Sequence, residues 1–320
     1  MTAPDAAATS QLAPTATGAD VPTGRLGALG PVGLVLAGGV SVQFGGALAV
    51  TLMPRAGALG VVALRLLVAA VVLLVVCRPR LRGHSRTDWG TVVVFGVTLA
   101  AMNGLFYQAL DRIPLGAAVT LEVLGPLALS VVASRRALNL VWAGLALVGV
   151  FLLSGGGGHG EGGGGFGGDL DPAGVAFALG AGVMWAAYIV FSARTGRRFP
   201  KADGLALAMA VGALLFLPLG LAESGAKLAD PVTLGLGAAV AMLSSVLPYT
   251  LELLALRRLP ASTFAILMSL EPAIAATAGF LILDQALTTT QAAAIALVVA
   301  ASMGAVRTQV GRTKRAVPEA

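Results

Sequence analysis

Two stretches of the chain repeat each other, and their positions determine how the helices are arranged. Residues 109–126 read ALDRIPLGAAVTLEVLGP, and residues 255–272 read ALRRLPASTFAILMSLEP, at an offset of 146 positions. Seven residues of the first stretch meet an identical residue in the second: Ala109, Leu110, Arg112, Pro114, Leu121, Leu124 and Pro126. An internal repeat of this kind indicates two halves built on one plan.

Ten apolar segments make up these halves, each close to the length of about 20 residues that a helix needs to cross a bilayer. They are residues 31–54, 57–77, 89–110, 113–134, 137–154, 172–193, 204–222, 231–256, 259–283 and 285–306. Isolated strands would leave unpaired backbone groups in lipid, so each segment must be helical.

The repeated stretches lie between segments 3 and 4 and between segments 8 and 9. Each half therefore has five segments, and the halves enter the membrane in opposite orientations. The sequence predicts an all-α membrane protein with ten transmembrane helices arranged as two inverted five-helix repeats. This plan is common among secondary transporters.

The amino-acid composition also indicates a membrane protein. Hydrophobic residues make up 57 % of the chain and charged residues 11 %, against about 45–50 % and about 25 % in soluble domains. The net charge is +6, but the basic residues form short clusters between apolar segments. That pattern is typical of membrane insertion rather than of nucleic-acid binding. We expect a lipid bilayer around the protein and no nucleic-acid partner.

The distribution of Lys and Arg predicts the orientation. With a cytoplasmic N-terminus, 17 of the 21 basic residues fall in cytoplasmic connections or tails. Only Arg55, Arg112 and Lys227 fall on the other side, and Arg65 lies within a segment. We therefore predict a multi-pass protein of the bacterial inner membrane with both termini in the cytoplasm.

Five parts of the chain follow from these patterns. We predict a disordered N-terminal tail over residues 1–29, a first repeat over 30–154 and a second repeat over 172–307. A glycine-rich extracytoplasmic linker over 155–171 joins the repeats, and a basic C-terminal tail covers 308–320. The linker contains GxGxxG at 158–163. A phosphate-binding loop needs a preceding strand and a following helix, and neither is expected here, so we interpret the segment as a flexible linker.

No motif for enzymatic chemistry is present. The sequence lacks Walker A, HExxH and CxxC motifs, and it contains a single cysteine, Cys77, and two histidines, His84 and His159. We therefore predict that the protein is not an enzyme and has no catalytic residue, metal site or cofactor. Any movement of a solute through the protein is either passive or driven by a gradient, and coupling to protons is left open.

Four ionisable residues lie within the segments, namely Arg65, Glu122, Glu252 and Glu271. A charge at the centre of a membrane helix costs at least about 2.5–3.5 kcal/mol, so each needs a partner or a purpose. Glu122 and Glu271 lie close to prolines, which free backbone carbonyls. A carboxylate beside free carbonyls suits an ammonium group or a proton. The alternative is a buried pair with Arg65 that fixes helix packing.

For Glu252, a structural pair with Arg257, about one turn away, is as good an interpretation as a functional role.

Polar and aromatic residues accompany the charges on three helix faces. Asn103 and Tyr107 share one face, Ser245, Pro248, Tyr249 and Glu252 share another, and Trp185 and Tyr188 share a third. Cavity lining and core packing are both open interpretations for the aromatic residues.

These segments resemble a known family. Met102–Asn103 and Phe106–Tyr107, followed by IPLGAAVTLEVLGPLA (113–128), resemble the first half of bacterial threonine and homoserine exporters. SSVLPYTLELLALRRLPASTFAILMSLEPAIAA (244–276) resembles their second half, and GALGVVALRLLVAA (57–70) resembles their second span. These exporters are EamA-type members of the drug/metabolite transporter superfamily. The resemblance implies two inverted five-helix repeats, cytoplasmic termini and a central cavity.

The predicted function is gradient-driven export of small amino acids, such as threonine and homoserine, by alternating access. The predicted substrate-binding residues are Arg65, Asn103, Tyr107, Glu122, Tyr188, Tyr249, Glu252 and Glu271. An exporter of drugs or other metabolites within the same superfamily is the first alternative. A non-transporting membrane scaffold or sensor is the second, and a folded extramembrane domain would distinguish it.

Overall fold

The computed structural model describes residues 25–134, 137–153, 170–200, 202–256, 259 and 261–315. Within these ranges the chain forms helices joined by short turns, and no strand occurs, so the predicted all-α class is confirmed. The predicted linker lies almost wholly outside the described residues, as does most of the N-terminal tail. Helix α1 begins at Arg25, inside the predicted tail, and α12 continues to Arg315, inside the predicted C-terminal tail.

Twelve α-helices follow one another through the described ranges. They are α1 (Arg25–Cys77), α2 (Arg86–Leu110), α3 (Leu115–Glu122), α4 (Leu124–Ser134), α5 (Ala137–Leu153), α6 (Pro172–Gly196), α7 (Asp203–Ser224), α8 (Pro231–Ala241), α9 (Leu247–Leu256), α10 (Ala261–Met268), α11 (Glu271–Leu283) and α12 (Thr289–Arg315). A 3₁₀ turn (Gly225–Ala229) precedes α8, and a π-helical turn (Met242–Val246) joins α8 to α9.

Seven helices in the described part are long and apolar enough to cross a membrane, the first of them 48 residues long (Gly30–Cys77). Two shorter apolar helices, Leu115–Leu129 and Leu140–Leu152, accompany them. The count differs from the ten predicted segments because segments 1 and 2 lie in one long helix, and because segments 4 and 5 are shorter than a full crossing.

Helix α1 is interrupted at Gly57, which has φ 61° and ψ 167°. Only glycine adopts this conformation without strain, and a β-carbon there would collide with the side chain of Glu223. The break is held by the end of α7. Oε2 of Glu223 accepts a hydrogen bond from the Gly60 backbone N–H at 3.0 Å, and the Ser224 hydroxyl donates to the Ala56 carbonyl. Residues 25–56 and 58–77 are therefore two legs of α1.

Loop contacts tie the bundle together at the α2 N-terminal end. The rings of His84 and Phe199 stack with their centroids 4.3 Å apart. Nη1 of Arg198 donates a hydrogen bond to Oδ1 of Asp88 at 3.1 Å. The loop before α2 and the loop between α6 and α7 therefore lie on the same side of the bundle.

Other loops meet at the α2 C-terminal end. Nε of Arg112 lies 3.8 Å from Oδ2 of Asp171, which precedes α6. The Leu115 backbone N–H donates to Oε1 of Gln285, which follows α11. At the start of α8, a hydrogen bond from the Thr233 backbone, with a smaller effect of the nearby Arg55 charge, holds the pKa of Asp230 below its usual value.

The helices pack around a common centre. α1 contacts α7, α8, α9, α10 and α11, whereas α2 contacts α6 and α7. α3 contacts α6 and α11, and α5 contacts α12. Glycines permit a close approach at the crossing of α4 and α6, where a β-carbon on Gly125 would overlap the Gly182 carbonyl. Small residues of this kind let membrane helices pack backbone to backbone.

The helical path is broken at two further places. α3 ends at Glu122 and α4 begins at Leu124, whereas α10 ends at Met268 and α11 begins at Glu271. Pro126 and Pro272 follow these breaks, and a proline cannot donate the backbone hydrogen bond that would continue the preceding turn. The breaks place two glutamates at helix ends in the middle of the bundle.

Candidate functional site

A polar cavity of about 140 Å³ lies at the centre of the bundle, between α1, α2, α3, α6, α9, α10 and α11. All eight residues predicted from the sequence line it: Arg65, Asn103, Tyr107, Glu122, Tyr188, Tyr249, Glu252 and Glu271. The structure thus brings together residues from six helices. Their role in substrate binding stays a prediction.

Arg65 is fixed by three hydrogen bonds. Its Nε donates to the Ser245 hydroxyl at 3.1 Å, Nη1 donates to the Tyr107 hydroxyl at 3.1 Å, and Nη2 donates to the Ser244 carbonyl at 3.0 Å. The guanidinium also lies 5.5 Å from the centre of the Tyr107 ring. Since all partners are uncharged, the positive charge of Arg65 is positioned but not neutralised.

The π-helical turn Met242–Val246 makes this arrangement possible. A π turn inserts an extra residue into a helix and is frequent at functional sites. Here it presents two consecutive serines to α1, so that Ser245 offers its hydroxyl and Ser244 its carbonyl to the same guanidinium. The sequence analysis did not select Ser244. Its only signal is a pair of serines inside an apolar segment, just before Pro248.

The three carboxylates lie around the cavity without a direct ion pair to the guanidinium. Within the described residues, neither Glu122, Glu252 nor Glu271 is within ion-pairing distance of Arg65. The charge of Arg65 does act on Glu122, and Glu122 and Glu252 both act on Glu271. The alternative of a contact pair between Arg65 and a glutamate therefore does not describe this structure. Arg257, the other proposed partner of Glu252, lies outside the described residues.

Glu122 and Glu271 lie at opposite kinds of helix end and therefore in different electrostatic environments. Glu122 is the last residue of α3, where the carbonyl-rich helix end disfavours a negative charge. Glu271 is the first residue of α11, where exposed N–H groups favour one. Both are buried, with 9 % and 6 % of their surfaces exposed. A proton or an ammonium group is the natural partner for Glu122 in particular.

Aromatic residues complete the walls. Tyr107 is fully buried, the Tyr188 ring packs against Phe95 with centroids 5.4 Å apart, and the Tyr188 and Tyr249 hydroxyls interact. Nδ2 of Asn103 donates to the Leu99 carbonyl at 2.8 Å, which leaves its Oδ1 as an acceptor. The sequence analysis did not select four further lining residues, Val42, Gln43, Gly46 and Met268.

An apolar chamber of about 560 Å³ adjoins the cavity, between α4, α6, α10 and α12. Trp185, Tyr188 and Met268 line both spaces and so form their common wall. In the part of the chain that is described, no group of three His, Cys, Asp or Glu side chains could hold a metal ion.

Apolar helices around a buried charged cavity define a multi-pass membrane transport protein. Residues 172–307 match the EamA-like transporter family. The threonine/homoserine exporter RhtA of Escherichia coli K12 is 40 % identical over 281 residues, which cover 87 % of this chain and 92 % of RhtA. RhtA of Salmonella typhimurium LT2 is 39 % identical over the same shares of both chains. This chain belongs to the EamA-like transporter family.

A solved crystal structure shares the fold. It is 20 % identical in sequence, superposes with a TM-score of 0.57, and the match covers 89 % of this chain and 99 % of that one. At this identity the likeness shows the architecture alone.

Proposed function

We propose that this protein exports small amino acids such as threonine and homoserine across the bacterial inner membrane. The observation that carries the proposal is that one buried cavity presents both a positioned guanidinium and carboxylates. A zwitterion leaving water needs both of its charges met. Arg65 binds the substrate carboxylate, and Glu122, which the Arg65 charge already reaches, binds the ammonium. The relatives named as threonine/homoserine exporters support this substrate class.

The neutral groups of the cavity suit a short hydroxylated side chain. Asn103 offers an acceptor, and the hydroxyls of Tyr107 and Tyr249 can donate or accept. A site that hydrogen-bonds a substrate hydroxyl rejects an analogue without it more strongly than an apolar site rejects an extra methylene. We therefore expect threonine and homoserine to be preferred over 2-aminobutyrate.

We infer ten crossings in two inverted five-helix repeats. The legs of α1, residues 25–56 and 58–77, each have at least the roughly 20 residues that one crossing needs. Together with the six other long apolar helices of the described part and with α3–α4 and α5, they give ten crossings. The helix contacts occur in equivalent pairs. The contact of α2 with α6 corresponds to the contact of α9 with α1. The contacts of α3–α4 with α6 correspond to those of α10–α11 with α1. The contacts of α7 with α1, α3 with α11 and α5 with α12 join equivalent elements. Such pairing supports a pseudo-two-fold axis.

The loop contacts also support the proposed orientation, with both termini in the cytoplasm. The α2 N-terminal end carries the arginine-rich loops, which should face the cytoplasm. In a Cys77→Ala variant, a cysteine replacing exposed Lys227 should react in intact cells with an impermeant thiol reagent. A cysteine replacing exposed Arg82 should react only after permeabilisation. Labelling of position 82 in intact cells, with position 227 silent, would reverse the orientation.

Charge counting supports coupling to protons. Among the described residues, three carboxylates and one guanidinium line the cavity, and a zwitterion adds no net charge. Protons on the glutamates are the simplest way to remove the excess. Threonine leaving preloaded liposomes should therefore move protons in the opposite direction, as recorded by a trapped pH dye. The exposed Asp284→Asn variant, at a left-handed φ of 53° that asparagine tolerates, is the matched control. Net threonine efflux without any pH change would exclude proton coupling.

The direct test of function is export itself. Cells that overproduce the protein should tolerate excess threonine or homoserine and lose preloaded radiolabelled threonine faster than control cells. Purified protein in liposomes should reproduce the threonine movement. Movement of hydrophobic dyes but of no amino acid, across a range of pH and imposed gradients, would contradict the proposal.

The apolar chamber favours one alternative. A space of about 560 Å³ beside the polar cavity is large enough for a drug-sized ligand, as expected of an exporter of drugs or other metabolites. Competition between a hydrophobic dye and threonine in liposomes distinguishes the two functions. The amino-acid exporter predicts no competition.

A further inference from the structure

The charges of the central cavity form two separate poles. The first, here called the guanidinium pole, consists of Arg65 with its partners Ser245 and Tyr107. The second, here called the acidic pole, consists of Glu252 and Glu271, which line the cavity together; the charge of Glu252 acts on Glu271. Both poles line one continuous cavity.

Helix geometry sets the distance between the poles. Ser245, which binds the Arg65 guanidinium, and Glu252 are seven residues apart along the π turn and α9. Seven residues make two helical turns, so both side chains lie on one face, separated by about 10 Å along the axis. Helix α1 gives the same spacing, because Gly45 faces Ser244 and Gly38 faces Glu252, again seven residues apart.

Threonine cannot occupy both poles. Its carboxylate and ammonium are attached to the same carbon, so with the carboxylate on Arg65 the ammonium reaches only the neighbouring Glu122. The acidic pole is left to protons. A second ammonium, carried on a chain of three or four methylenes, spans about 6 Å. With a hydrogen bond of about 3 Å to Glu252, it bridges the distance between the poles.

The lysine side chain carries a group that is complementary to the acidic pole. Its terminal ammonium can donate three hydrogen bonds, which suits two carboxylates from different helices. Burial of the acidic pole makes an unneutralised carboxylate costly there, so a cation is the complementary ligand.

We propose that the cavity also accepts α-amino acids with a second, terminal ammonium, of the ornithine and lysine class, and that Glu252 and Glu271 bind that ammonium. The proposal rests on the proposed function of the cavity as an amino-acid site. Such a substrate carries one additional positive charge, which a proton supplies when threonine is the substrate. It therefore competes with protons at the acidic pole, and its binding improves as the pH rises. The charged or titratable groups facing this pole are Arg65, Tyr107, Glu122, Tyr188 and Tyr249.

The test is competition against radiolabelled threonine exchange by the purified full-length protein in liposomes. The competitors are 2,3-diaminopropionate, 2,4-diaminobutyrate, ornithine, lysine and norleucine, the last of which has an uncharged chain of similar length to lysine. A hydrogen-bonded charge pair is worth about tenfold or more in affinity. Ornithine and lysine should therefore compete at least about tenfold better than norleucine, whereas the two shorter diamino acids should lack this advantage.

Variants locate the effect. In Glu252→Gln and in Glu271→Gln, the ratio of lysine to norleucine affinity should fall towards one, whatever happens to threonine affinity itself. The ratio should persist in Asp284→Asn, which removes an exposed carboxylate outside the cavity. If a glutamine variant does not fold, the chain-length series on the wild-type protein decides.

The outcomes separate the two proposals. Threonine exchange with lysine no better than norleucine overturns the acidic pole as an ammonium site and leaves amino-acid export intact. A lysine preference that survives both glutamine substitutions overturns it as well. Absence of threonine exchange by the wild-type protein overturns the proposed function, together with the inference built on it.

Discussion

Replacing Arg65 with leucine is expected to lower the rate of threonine export by about ten- to a hundredfold or more. The substitution removes the only cation among the described residues that line the cavity, together with three hydrogen bonds to Ser245, Tyr107 and Ser244. A hydrogen bond to a charged group contributes about 1.5–3 kcal/mol, and the lost substrate carboxylate contact falls in this class. The measurement is threonine exchange in liposomes, with the unfolding temperature in detergent measured beside it.

Arg65→Lys is the informative companion. Lysine keeps the charge but presents it as a point, whereas the planar guanidinium reaches three partners in different directions at once. We expect Arg65→Lys to transport threonine at a rate between those of the wild type and Arg65→Leu. If Arg65→Leu folds and transports threonine at the wild-type rate, Arg65 does not bind the substrate carboxylate. If both variants are unstable and equally inactive, the role of Arg65 is structural.

The polar residues of the cavity could be selected from sequence because lipid makes them conspicuous. A charge within an apolar segment is costly, so Arg65, Glu122, Glu252 and Glu271 stand out without any structural knowledge. Tyr188 was selected only through its helix face with Trp185, and the structure places it on the shared wall of the cavity and the apolar chamber. Burial cost is therefore a strong guide to which residues matter.

Geometry that depends on two distant segments could not be read in this way. The π turn at Met242–Val246 places Ser244 and Ser245 on Arg65, residues that are about 180 positions away in the chain. No local pattern encodes that partnership. The break at Gly57 follows the predicted boundary between segments 1 and 2, but its hydrogen bond from Gly60 to Glu223 comes from α7 and was not predicted.

The sequence also could not predict which glycines pack at helix crossings. The chain contains 43 glycines, and nothing in the sequence distinguishes those that face lipid from those at helix crossings. In the structure, a β-carbon on Gly125 would overlap the Gly182 carbonyl, whereas a β-carbon on Gly144 or Gly235 would meet nothing within 4 Å. The difference between these sites leads to the second prediction of large effect.

Gly125→Ala is expected to lower the stability of the protein by about 1–3 kcal/mol or more, because an added methyl group at a packed crossing forces the helices apart. Gly182→Ala should act similarly, since its β-carbon would lie 2.6 Å from the Glu122 carbonyl oxygen. Moving α4 away from α6 also displaces the end of α3, so Glu122 would shift relative to Trp185 and Tyr188. Transport should therefore fall even in the fraction that remains folded.

Gly144→Ala and Gly235→Ala are the matched controls, because both glycines are exposed on helices and open to added volume. Alanine favours a helix over glycine by up to about 1 kcal/mol, so these variants should be at least as stable as the wild type and should transport threonine normally. The measurement pairs thermal unfolding in detergent with threonine exchange in liposomes. A Gly125→Ala protein that unfolds at the same temperature as Gly144→Ala would show that α4 and α6 do not pack through their glycines. The position of Glu122 in the cavity would then need another support, because the closest backbone contact beside it would be absent.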